Sequence, residues 1–79
     1  MTLTLENISE VVKEKVPYYI SQKGDRVTLN VIDKEGFHIY TFGEDRELIL
    51  LSSIPLNEIK QDILDFFNEK IETLNMGVQ

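Results

Sequence analysis

The carboxylates of Glu58, Asp62, Asp65, Glu69 and Glu72 follow one another at steps of four, three, four and three residues within NEIKQDILDFFNEKIETL. On an α-helix that spacing gathers all five within about 80° of one side. Like charges three and four apart repel, each pair weakening a helix by about 0.2–0.5 kcal/mol. Lys60 and Lys70 stand beside the stripe rather than in it. A row of acids without interleaved lysines can gather cations or dock on a basic surface. Calcium requires about six to eight oxygens converging from a bent loop, and the D-x-[DN]-x-[DN]-G pattern that supplies them is absent; no metal is expected. Docking is the expected use: the stripe would sit on a Lys/Arg-rich surface of a basic protein partner, as an inhibitor or a mimic of a phosphate row. A charged outer face with no role beyond solvation is the plain alternative.

Catalytic chemistry is less visible. His38 is the only histidine, and cysteine is absent. A lone histidine in a strand is more often a hydrogen-bonded, half-buried residue than a catalyst. Nucleophilic catalysis needs a base within reach of a hydroxyl, and Ser9, Ser21, Ser52 and Ser53 fall where caps, turns or strand ends are expected. Gly24, Gly36, Gly43 and Gly77 are isolated, so no phosphate-cradling loop is present. The chain is expected to be neither an enzyme nor a carrier of a cofactor.

With 79 residues, the chain is one small domain, residues 1–79, that buries about 60–65% of its unfolded surface. Net charge is −6. From Glu44 onward three basic residues face eight acidic ones, whereas the preceding part is nearly neutral. Such a surface repels phosphate backbones, so direct nucleic-acid binding is not expected. MTLTLENISE lacks a basic segment followed by an apolar one, and no apolar run approaches the roughly 20 residues of a membrane span. A soluble, cytoplasmic protein is expected.

The elements that must position these residues are readable from period and punctuation. Leu5, Ile8, Val12 and Val16 recur at helical intervals, Asn7 and Glu10 have capping-box spacing, and Pro17 stops the helix. RVTLNVID and GFHIYTFG alternate around the turn DKEG; with Asp33 opposite Gly36, Ile32 pairs with Phe37 and Val31 with His38. One face of that hairpin then carries Val27, Leu29, Val31, His38, Tyr40 and Phe42, the other Thr28, Asn30, Ile32, Phe37, Ile39 and Thr41. ELILLS is a third strand. A helix from Pro55 to about Asn75 directs Leu56, Ile59, Ile63, Phe66, Phe67, Ile71 and Leu74 to one side. The expected fold is α+β, in the order α-β-β-β-α. Its antiparallel sheet has three strands, or four if residues 18–21 add a short one, with both helices on one face.

That order resembles the topology of double-stranded RNA-binding domains. Those domains open their final helix with a lysine cluster, where this chain has SSIPLNEIKQD, with Lys60 alone among acids; the resemblance stops at topology. With the first hairpin face taken as the core, the open face would expose Ile32, Phe37, Ile39, Leu48 and Leu50. Monomers seldom leave such a patch in water, so self-association as a homodimer is the second expected function.

Overall fold

A computed structural model describes the backbone of residues 2–78 and the side chains of residues 2–71. It is an α+β domain in the order α1 (Ile8–Glu14), β1 (Tyr18–Lys23), β2 (Arg26–Asp33), β3 (Gly36–Phe42), β4 (Leu48–Pro55), a 3-10 turn (Leu56–Glu58) and α2 (Gln61–Val78). The four strands form an antiparallel meander, β1-β2-β3-β4. The segment at 18–21 is thus a full edge strand, which separates this order from that of the RNA-binding domains.

The hairpin register is the one the sequence pattern predicts, with Ile32 opposite Phe37, Val31 opposite His38 and Asp33 opposite Gly36. The turn is sharp because Gly36 takes φ 141°, and a Cβ there would run into the carbonyl oxygen of Ile54. Between Ile39 and Tyr40 the pairing with β4 slips by one residue: Ile39 faces Ser52, but Tyr40 faces Leu50. A one-residue bulge moves every following side chain to the other face. Leu50 and Leu48 therefore line up with Tyr40 and Phe42, not with the Ile39 side of the sheet.

The core lies on the face opposite to the one expected. Ile32 is fully buried, together with Leu3, Ile8, Val11, Val12, Tyr19, Ile59, Leu64 and Phe67. Phe67 of α2 meets the edges of Tyr19 and Phe37 at centroid distances of 4.7 and 5.4 Å. Tyr19 pairs with Asn30, two residues from Ile32 and on its side of the sheet, as is Phe37. The Ile32 face is covered by α2, and the Val31 face is not. Period-two alternation separates the two faces of a hairpin but does not say which receives the helix, and here Tyr19, Ile32, Phe37 and Ile54 outweigh the longer aliphatic row.

Both helices are cut differently from their sequence signals. Asn7 precedes α1 but its side chain makes no capping bond. Its Oδ1 instead accepts the Thr4 N–H at 2.8 Å, and its Nδ2 donates to the Thr2 carbonyl at 2.7 Å. Near the C-terminal end, Ile59 is extended (φ −69°, ψ 133°), so Glu58 belongs to the 3-10 turn and α2 begins only at Gln61. Asn68 of α2 brackets Leu3, accepting its N–H at 2.7 Å and donating to its carbonyl at 3.0 Å. Gln61 accepts the Leu5 N–H at 3.0 Å. No helix of the described residues is long and apolar enough to cross a membrane.

Adjacent phenylalanines of α2 test this packing, since Phe67 is 1% exposed and Phe66 48%. Phe67→Ala is expected to cost about 3–5 kcal/mol and Phe66→Ala about 1 kcal/mol, read as denaturant midpoints by circular dichroism.

Candidate functional site

Asp62, Asp65 and Glu69 lie on α2 and are exposed; Glu58 is exposed on the 3-10 turn, off the helix. The side chain of Glu72 lies outside the described residues. The continuous five-residue stripe is thus interrupted at Ile59 and Lys60. Asp65 Oδ1 accepts from Gln61 Nε2 at 3.0 Å, one turn earlier on the helix. Lys70 extends over the Phe66 ring, 5.2 Å from its centroid, an amphipathic side chain laid across an aromatic face. Beside Asp62 a cleft of about 290 Å³ opens between α2 and the sheet, with Tyr19, Phe37 and Phe66 among its walls.

The residues expected to mediate self-association are split between the two faces. Ile32 is buried, and Phe37 is half-buried against Phe67, so neither can meet a second chain. Ile39 is on their side of the sheet. Leu48 and Leu50 are on the uncovered face, 51% and 53% exposed. Cross-strand pairing builds that face in three rows: Tyr18, Val31, His38 and Ser53; Ile20, Leu29, Tyr40 and Leu50; Gln22, Val27, Phe42 and Leu48. None of the twelve is an acid, lysine or arginine. Tyr18, Ile20 and Phe42 are also exposed large hydrophobic residues.

One polar constellation stands at the end of this face. In the DKEG turn, Asp33 Oδ1 accepts the Glu35 N–H at 2.8 Å and the Gly36 N–H at 3.1 Å. The same oxygen lies 3.0 Å from His38 Nε2, and His38 Nδ1 lies 2.8 Å from Ser53 Oγ. His38 is 8% exposed, whereas Ser53 is open to solvent. A carboxylate only accepts, so Nε2 of a neutral His38 carries the proton and Nδ1 is left to accept from Ser53. Desolvation pushes the Asp33 carboxyl up, but the hydrogen bonds from Glu35, His38 and Gly36, with the attraction of His38, outweigh it and hold the group below the ordinary aspartate range. Asp33 is therefore an anion at neutral pH.

Donor atoms of Asp33, Glu35 and His38 also come within 4.8 Å of one another. In the structure Asp33 and His38 form part of a hydrogen-bonded chain, with a proton between them where a cation would sit. The contact between Asp33 and His38 was within reach of the sequence, because the register sets them diagonally on one face. Ser53 was not, since its pairing with His38 depends on the position of β4.

Compared with known protein families, curated proteins and solved structures, the chain matches none.

The Asp33 carboxylate makes a pH prediction. Its folded pKa lies below the unfolded one, so its stabilisation is present above the unfolded value and lost as pH falls through the folded value. Melting temperature is expected to drop on acidification below about pH 4. Asp33→Asn keeps an acceptor but no charge, and should flatten that drop while lowering stability at pH 7, both read from thermal melts across the acid range.

Proposed function

We propose that this protein is a non-catalytic, self-assembling module whose uncovered sheet face packs against a second copy of itself. The observation that carries this reading is the charge-free row structure of that face, with Tyr18, Ile20, Phe42, Leu48 and Leu50 all exposed. Strands about 4.8 Å apart and rows about 6.6 Å apart give the face an area of roughly 400 Å². With its side-chain relief, packing it removes on the order of 700 Å² of accessible surface per copy, near the ~800 Å² per partner of a standard interface.

Charge layout favours a second copy. A net charge of −6 opposes association wherever acids meet. Packing through the uncovered face keeps both α2 helices on the outside, separated by two sheets, several Debye lengths at physiological salt. The three central rows of the face contribute no acid to the contact, Asp33 at their end being tied to His38, and a two-fold axis pairs the face with its own copy.

Static light scattering is expected to give twice the 9.2 kDa chain mass. Leu50→Lys should return it to one chain mass. Ile49→Lys, on the other side of the same strand, should leave the dimer intact. A wild-type monomer at high micromolar concentration, or a dimer broken only by Ile49→Lys, would overturn the reading.

A second reading places a basic protein partner on α2, and the aromatic cleft beside Asp62 favours it. Rings with a carboxylate at the rim suit a lysine or arginine side chain of the partner. Asp62→Lys combined with Glu69→Lys should keep the circular dichroism spectrum and abolish chemical-shift changes caused by a lysine-rich peptide; unchanged shifts would remove this reading.

A further inference from the structure

From the Asp33–His38–Ser53 chain, we infer that Ser53 is a base-assisted nucleophile, a site of covalent acylation by ester or thioester donors. Three features of the geometry carry the inference. The hydroxyl stands 2.8 Å from Nδ1, within the reach a general base needs. The opposite ring nitrogen is 3.0 Å from a carboxylate, which fixes the tautomer that leaves Nδ1 basic. That carboxylate is itself held by two backbone N–H groups of the turn, so the imidazole is oriented by a two-residue hairpin turn rather than by a mobile side chain. The order carboxylate, imidazole, hydroxyl is that of a serine triad, with the two ring nitrogens exchanged.

Burial separates the roles. His38 is enclosed and Ser53 open, so a donor in solution can reach the oxygen while the base stays shielded. Tyr40 and Leu50 form the neighbouring row on the same face, an apolar floor suited to an acyl chain. In the transfer, Ser53 Oγ bonds to the acyl carbon as its proton passes to His38 Nδ1. The bond from that carbon to the leaving oxygen or sulfur then breaks, and the leaving group takes the proton from Nδ1. No redox partner is needed. Asp33 touches no reacting atom and is a positioning residue. Base assistance accounts for a single acyl transfer; turnover requires donors for the oxyanion as well.

The test uses a fluorophosphonate probe and p-nitrophenyl acetate on the intact chain, with the adduct located by peptide mass spectrometry. One adduct is expected, on Ser53, formed at least about a hundredfold faster than on Ser52, Ser9 or Ser21. Ser53→Ala should abolish it, and His38→Ala should slow it, with partial recovery on adding imidazole. Ring ¹⁵N shifts of His38 should place its proton on Nε2 in the wild type, and Asp33→Asn should lose that preference with a slowing of about tenfold or more. Leu50→Lys is labelled in parallel, so that burial of Ser53 by a second copy cannot account for a missing adduct. No adduct in either background, adducts spread evenly over the serines, or a proton resident on Nδ1 would overturn the inference. None of these outcomes bears on the light-scattering result.

Discussion

The register of the DKEG hairpin is the constraint on which the rest of the domain depends. Asp33 must oppose Gly36 for the turn to close, and Gly36 must lack a side chain because the turn abuts the carbonyl of Ile54. The N–H of Leu56 donates to the carbonyl of Glu35, so the same turn holds the end of β4. That docking sets Pro55 opposite Gly36, Ile54 opposite Phe37 and Ser53 opposite His38. Core and polar chain are therefore two faces of one pairing: a one-residue slip of β3 in the turn would carry His38 toward Phe67 and Phe37 away from it.

The bulge in β4 performs the complementary task. Without it, alternation continued from Ile54 would carry Leu50 and Leu48 toward the covered side, with Ile39, and turn Ile49 to the uncovered one. With it, Leu48 and Leu50 extend the Tyr40 and Phe42 rows, and the uncovered face becomes continuous from β1 to β4. The domain thus has two layers of opposite chemistry. One is a helix whose outer side is acidic; the other is a sheet face whose three central rows carry no formal charge. A small chain cannot make two cores, and the apolar surface left over by the first is what a second molecule can use.

Legibility in the sequence followed the range of the interaction that fixes each feature. The β2–β3 register was readable because alternation and a four-residue turn are both local. The burial of Phe67 and Ile59 followed from helical period, whereas Leu64, fully buried, lay outside the face that period gave and Phe66, inside it, is half-exposed. The covered face was not readable: Val27, Leu29 and Val31 make the more uniformly apolar row, while Asn30 sits buried on the other, its Nδ2 3.4 Å from Thr28 Oγ1. The bulge carries no glycine to announce it, and the break at Ile59 and Lys60 falls inside an unbroken helical period. Both are decided by where β4 and α2 must land on the sheet. Asp62, Asp65 and Glu69 lie exposed on α2 as the spacing predicts, while Glu58 falls off the helix for that reason.

The bracket that Asn68 places around Leu3 has a consequence for the order of assembly. The meander is built from neighbours in sequence, so its hairpins can form as the chain is made. The segment before α1, however, is held by side chains of α2, at sequence separations of 56 and 65 residues. During folding Leu3 is not secured until Asn68 docks, and Tyr19 waits for Phe67. Until α2 docks, the sheet therefore lacks its helical cover. The acidic helix that arrives last closes the core and, by its charge, also ends the interval in which that sheet is free to stack on either side.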